Sequence, residues 1–401
     1  MSLKYGRVWM EAMGYELPPI VVSSEDLEAK LEPAYRRLHL QPGQLEVLTG
    51  ISERRWWEDG HPLSAGAAAA ARKALTACDM QASDVEVLIY AGVCREHFEP
   101  ATACAVADAL GMSGDSQVYD VTNACLGVLN GIIDIANRIE LKQIRAGMVV
   151  SCESSREIME LTMQRLNAEP TMERFASSLA TLTGGSGATA IILSDGSFGA
   201  RHRHRLLGGA TKNAAEHHRL CRWGLRFSPV ELSKLVFSPD RLQQTFQDLM
   251  QPTAIPAAVR EALSSERWPA AVQKVLPSES LPRALEQFMA TDSVGVLKHG
   301  VELGLRTWGS FLKTVGWARD HVDKVICHQV GHGHRETILK TLGIAPDKDF
   351  STFRHLGNIG TVSLPLTAAM ADQRRHLQIG DRVGFLGIGS GLNCLMLGWE
   401  W

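Results

Sequence analysis

Three things are missing from this chain of 401 residues: a Cys-x-x-C pair, a long unbroken apolar run, and an excess of charge of either sign. Without paired spacings, the eight scattered cysteines point away from a disulfide framework and toward the reduced cytoplasm. A membrane-spanning helix needs roughly 18 successive apolar residues, and no stretch approaches that. The N-terminus likewise offers no apolar stretch followed by a small-residue cleavage site, so no export signal is expected. Forty-one Lys and Arg against 44 Asp and Glu leave a net charge of −3, so nothing global calls for nucleic acid. What is present is ordinary for a folded enzyme: 45% hydrophobic and 21% charged residues exclude a disordered chain. The length suits two packed units or one duplicated domain.

Helix and strand signals alternate through the first half. Ala65 to Met80 is rich in strong helix formers and leads into Val85–Ala91, an apolar run of strand length. A second strand is expected at Gln117–Val121, a helix with a wide apolar face at Val128–Ile139, and further buried strands at Ala146–Ser151 and Gly184–Leu193. The last hundred residues repeat this grammar. A long helix is expected over Val294–Val315, a strand over Val322–His328, helices over Arg335–Leu342 and Ser363–His376, and strands over Arg382–Leu386 and Leu392–Leu397. Such alternation predicts parallel strands covered by helices on both faces, in two similarly built α/β halves. Residues 1–200 form the first half and 201–223 a connector. Residues 291–401 complete the second half. Between them, 224–290 holds seven of the sixteen prolines and short amphipathic stretches such as Asp240–Met250 and Pro282–Met289. This segment reads as an inserted helical cap, with a surface decoration as the plain alternative.

Cys125 is the first candidate for chemistry. It follows one expected strand and opens an expected helix, where partial positive charge and free N–H groups favour a thiolate. Its plain alternative is a buried structural cysteine, the reading that also fits Cys78, Cys94, Cys104, Cys152, Cys221, Cys327 and Cys394. His328 ends a strand, at the sheet edge where α/β proteins bind ligands. Thirty residues on, Gly357-Asn-Ile-Gly360 sets Asn358 in a glycine-flanked turn before a helix. A thiolate beside His and Asn donors can take an acyl group and polarise a second acyl carbonyl. Taken singly, the His caps a strand and the Asn shapes a turn. Two further histidine features carry weaker readings. His328, His332 and His334 lack a carboxylate or Cys to complete a metal set, so no metal is expected. Arg201-His-Arg-His-Arg205 reads as a solvated connector, with attraction for anionic groups as the alternative.

Four ordered motifs carry a family resemblance: Asn123-Ala-Cys-Leu-Gly127, Cys327-His-Gln329, Gly357-Asn-Ile-Gly360 and Gly387-Ile-Gly-Ser-Gly-Leu392. Together they resemble the active-site signatures of thiolase-fold condensing enzymes of the ketoacyl synthase III group. Within that group the chain is most similar to the OleA branch, which joins two long fatty acyl chains. Gly50-Ile-Ser-Glu-Arg-Arg55 and Arg95-Glu-His-Phe-Glu-Pro100 extend the likeness, which covers nearly everything except the insertion.

The resemblance implies duplicated α/β halves in a five-layer αβαβα arrangement, with the helical subdomain inserted. It implies Cys125 as acyl acceptor, His328 and Asn358 as the condensation pair, and the backbone N–H groups of Cys125 and Ser390 as the oxyanion hole. It makes Glu99 the base that takes the α-proton of the second acyl chain. That base would be delivered across a subunit interface, and so within a homodimer. The implied reaction is a Claisen condensation of two fatty acyl thioesters without decarboxylation, to a 2-alkyl-3-ketoacyl product, with acyl-CoA as substrate and no separate cofactor. The 224–290 insertion departs from the pattern and could line an acyl tunnel or meet a carrier or pathway partner. Leu45-Glu-Val-Leu-Thr49 lacks the Trp and Arg with which short-chain relatives grip coenzyme A. Two rivals remain at this stage: a decarboxylative condensation or other acyl transfer, which would not need Glu99, and a non-catalytic partner subunit, which would not need Cys125, His328 and Asn358 together.

Overall fold

A computed structural model describes residues 1–198, 204–227, 285–329 and 331–401. The chain divides into two units, Met1–Cys221 with Ala290–Trp401, and Arg222–Met289.

In the larger unit the strands are β1 (Ser2–Lys4), β2 (Trp9–Glu16), β3 (Ile20–Ser23), β4 (Glu53–Trp56), β5 (Val87–Ala91), β6 (Gln117–Val121), β7 (Ala146–Glu153), β8 (Gly187–Ser194) and β9 (His204–Asn213). After the ribbon strands β10 (Cys221–Phe227) and β11 (Leu285–Thr291) come β12 (Lys324–Cys327), β13 (Arg382–Gly389) and β14 (Asn393–Glu400). The order β12-β13-β14-β9-β2-β8-β7-β5-β6, with β1 on β9, makes one sheet of two halves. They meet only where Trp9 and Met10 pair with Arg205 and His204.

The expectation of parallel strands is corrected. β5 runs parallel to β6 and β7, and β12 to β13, but β7–β8, β2–β8, β13–β14 and β14–β9 are antiparallel. The parallel pairs carry the functional loops, and the antiparallel strands widen each half.

The helices are α1 (Ser24–Lys30), α2 (Glu32–Leu38), α3 (Gln44–Thr49), α4 (Leu63–Cys78), α5 (Thr102–Leu110), α6 (Gly127–Glu140), α7 (Arg156–Ala168), α8 (Met172–Leu182), α9 (Ser293–Val315), α10 (His332–Leu342), α11 (Phe353–Leu356) and α12 (Ser363–Gln373). Strand periodicity sorts them into layers, because alternate side chains leave a strand on opposite faces. Leu88 and Tyr90 of β5 face a cluster built on the alanine-rich α4 and on α5. Val87, Ile89 and Ala91 face the opposite way, into a cluster that joins α6 and α12 to strands of both half-sheets. On the far side, Val325, Cys327, Leu386, Cys394 and Met396 pack against α9 and α10. The result is the expected five layers, with α6 and α12 in the middle.

Alanine richness has a packing cause in α4. A side chain at Gly14 of β2 would come within 2.1 Å of the Ala70 carbonyl oxygen, so helix and strand touch backbone to backbone.

The insertion expected at 224–290 falls largely on residues 228–284, outside the described residues. Its described edges are extended, not helical. From Leu285 onward, the stretch expected at Pro282–Met289 is strand β11, paired with β10. In the strip Arg201–Arg205, His204 and Arg205 belong to β9. There His204 stacks on Trp401 at 3.8 Å and Arg205 pairs with Glu400 at 3.5 Å. No helix among the described residues is long and apolar enough to cross a membrane.

Candidate active site

Cys125 sits in the turn between β6 and α6. Ala124 before it has φ 45°, a left-handed conformation costly for a residue with a Cβ. The backbone N–H groups of Cys125 and Ser390 lie near the Cys125 sulfur and favour its charged form. The same geometry corrects the expected thiolate. Burial pushes the Cys125 thiol up to about 12, helped by the nearby Cys221 and Glu153, and the two N–H donors only partly offset it.

The Ser390 turn packs on Cys125 and Leu126 through Gly389. A Cβ there would lie 3.4 Å from both the Cβ and the nitrogen of Cys125. Asn393, which carries no signal of its own in the sequence, fixes the turn by donating from Nδ2 to Asn123 Oδ1 at 2.9 Å and to the Ser390 carbonyl at 3.4 Å. Asn123 in turn donates to Asn130 Oδ1 of α6 at 2.6 Å.

His328 follows β12, and its N–H donates to the Leu386 carbonyl of β13 at 2.9 Å. The residue is 8% exposed, and neither ring nitrogen has a hydrogen-bond partner among the described residues. Burial, reinforced by neighbouring His334, lowers its pKa to about 4, so the ring is neutral at physiological pH and carries one N–H. Two buried groups hold the strand end. Asp349 accepts from the Cys327 N–H at 3.2 Å and pairs with Arg335 at 2.5 Å. Gln329 donates to Thr367 and accepts from the Thr352 N–H, both at 3.2 Å. His334, which its spacing marks only as a metal candidate, lines a cavity with His328, Val301, Ile338, Leu342 and Met396. The side chain of His332 lies outside the described residues.

Asn358 is held by the other half of the fold. Its N–H donates to the Thr183 carbonyl at 2.8 Å, and its carbonyl accepts from Gly185 at 2.9 Å. Gly357 permits this approach, with φ +66° and only 2.5 Å between a built Cβ and the Thr183 oxygen. Asn358 Oδ1 accepts from the Gly360 N–H at 3.0 Å, which leaves the amide NH2 as the remaining donor. Three residues on, Thr361 Oγ1 accepts the Val128 N–H of α6 at 2.8 Å, tying this turn to the Cys125 helix.

Glu99 stands apart from these groups. It is exposed, between β5 and α5, beside Phe98 at 93% exposure, and among the described residues no hydrogen bond or ion pair holds it.

A cysteine at a strained strand-to-helix turn, a glycine-rich turn packed against it, and His and Asn loops from a second α/β half define a thiolase-fold condensing enzyme. Residues 312–401 match the family model of the 3-oxoacyl-[acyl-carrier-protein] synthase III C terminal. The chain is 48% identical, over the full length of both chains, to an acyl-CoA:acyl-CoA alkyltransferase of Shewanella oneidensis. It is 30% identical to a Xanthomonas campestris protein of the same name, over 96% of this chain and 95% of that one. A crystal structure of Xanthomonas campestris OleA with bound lauric acid and lauroyl-CoA superposes with a TM-score of 0.80 at 28% identity, covering 99% of this chain and all of that one. The chain belongs to the acyl-CoA:acyl-CoA alkyltransferase family, the OleA branch of the synthase III-like acyltransferases. Coverage that complete corrects one expectation, since the 224–290 segment does not set this chain apart from its relatives in length.

Proposed function

We propose that the enzyme condenses two fatty acyl-CoA molecules head to head, with Cys125 as acyl carrier, His328 and Asn358 as carbonyl donors and Glu99 as base. The observation that carries this reading is the packing of the Ser390 turn on the Cys125 turn, with Asn393 bonded to Asn123 and to the Ser390 carbonyl, which sets the N–H groups of Cys125 and Ser390 beside the Cys125 sulfur. When Cys125 attacks the first thioester, coenzyme A leaves as its thiol and the acyl group stays on sulfur. These donors then face the acyl carbonyl oxygen and stabilise the charge that collects on it in the next step. His328 and Asn358 donate to the carbonyl of the second thioester, which makes its α-proton acidic. Glu99, supplied by the partner subunit of a homodimer, removes that proton. The resulting enolate attacks the acyl-cysteine carbonyl, a C–C bond forms, and the Cys125 thiolate leaves. The product is a 2-alkyl-3-ketoacyl-CoA, and the balance needs no cofactor. A cavity between α9, α10 and the second half-sheet is lined mainly by apolar groups and includes His328.

The test is incubation with lauroyl-CoA, reading the intact mass of the protein, released CoA and extracted product. An acyl adduct lost in Cys125→Ala, with a 2-alkyl-3-keto acid or its ketone accumulating, is the expected result. An adduct without condensation product would overturn the reading in favour of a different second substrate. Glu99→Gln separates the remaining rival, because a decarboxylative reaction needs no α-proton base and would continue.

A further inference from the structure

Glu153 is the last residue of β7, whose eight residues are all buried. It is 3% exposed, and no step of the condensation chemistry uses it. Its Oε1 accepts the Val93 N–H at 2.9 Å and its Oε2 the Cys94 N–H at 3.0 Å. The Thr361 N–H lies close enough to the carboxyl group to favour its charged form. Gly360 closes over it with φ +55°, where a built Cβ would stand 3.4 Å from the carboxyl carbon and Oε1.

These anchors are not scattered. Val93 and Cys94 open the loop that carries Glu99, and Thr361 belongs to the turn that carries Asn358. Through its hydroxyl, Thr361 also holds Val128, three residues beyond Cys125. A buried carboxyl group is costly unless its oxygens are filled by donors, and here loops fill them.

We propose that Glu153 is a positioning residue for condensation: its carboxyl group clips the Glu99 loop to the Asn358 turn, so that base and carbonyl donor hold a fixed relation. The inference rests on Glu99 acting as base and Asn358 as carbonyl donor. Acylation of Cys125 uses neither residue, so the two half-reactions respond differently to loss of the clip. Glutamine at 153 keeps the size of the side chain but turns an NH2 group toward N–H donors that need an acceptor.

The experiment compares full-length Glu153→Gln and Glu99→Gln with the parent, using lauroyl-CoA. It measures Cys125 acylation by intact mass and condensation by product formed in the same samples. For Glu153→Gln, acylation does not fall, because losing the charge near Cys125 eases ionisation of its thiol, while condensation falls at least about tenfold, with Tm little changed. Amide exchange at Val93, Cys94 and Thr361 rises while the rest of the molecule keeps its protection. A parallel fall in both half-reactions, or no fall in condensation, overturns the inference. If Glu99→Gln itself condenses at the parent rate, the reading of Glu99 fails, whatever Glu153→Gln does. If Glu153→Gln does not fold, Glu153→Asp, which keeps the charge on a shorter arm, is judged by the same split and the same three amides.

Discussion

At the scale of single residues, burial decides more than local position. A cysteine at the start of a helix suggests a thiolate, and the N–H groups of Cys125 and Ser390 do favour one. The thiol is nevertheless raised to about 12, because desolvation outweighs them and because Cys221 and Glu153 stand nearby. Alkylation of Cys125 by iodoacetamide should therefore climb about tenfold per pH unit from 7 to 10, with no plateau. A plateau below pH 8 would show a stabilised thiolate instead. For His328 the same physics acts with opposite sign. Its folded pKa of about 4 lies below the ordinary 6.5, so between those values the unfolded chain binds more protons and stability rises with pH. The contribution is complete above pH 6.5 and lost as pH falls toward 4, amounting to roughly 3 kcal/mol. His328→Leu should flatten the dependence of the urea midpoint on pH between 7 and 4.5; an unchanged slope would contradict the burial. The motifs that single out Cys125, His328, Asn358 and Ser390 were legible because each is local in sequence. The Cys125 ionisation was not, since Cys221 and Glu153 approach it only through the fold.

At the scale of elements, most helices and strands lie within a few residues of where periodicity puts them. Gln117–Val121 is a strand as expected, and α6 differs from its expected range by one residue at each end. Strand direction was not legible. A buried strand reads the same whether its neighbour is parallel or antiparallel, and β8 returns against β7 through α7 and α8 in spite of the alternating grammar. Glu153 left a faint trace, a carboxylate closing an otherwise apolar run. Its donors come from segments about 60 and 200 residues away in sequence, so its purpose could not be read there. Packing between α4 and β2 gives the prediction at this scale. Gly14→Ala would put a Cβ 2.1 Å from the Ala70 carbonyl, and neither backbone can yield without moving the helix. A loss of about 3 kcal/mol or more is expected in urea denaturation. A loss under about 0.5 kcal/mol would mean that the helix shifts freely on the sheet.

At the scale of the whole molecule, each loop that carries a functional group leans on a different part of the fold. The Cys125 turn rests on the Ser390 turn of the second half, and Asn358 hangs on Thr183 and Gly185 of the first. The loop of Glu99 is anchored on Glu153, but the Glu99 side chain itself has no hydrogen bond or ion pair among the described residues, and it stands in an exposed segment with Phe98. An acid needed at the Cys125 site but presented outward fits the proposed homodimer, in which a second copy of the chain completes the site. That arrangement has a quantitative consequence. Cys125→Ala and Glu99→Gln are each expected to be inactive in condensation, because every site in either homodimer lacks one of the two groups. Unfolded and refolded together in equal amounts, they should form about half mixed dimers, each holding one complete site, and recover about a quarter of the parent activity. If Glu99 served its own chain's Cys125, no mixed dimer would contain a complete site, and the mixture would stay as inactive as its parts.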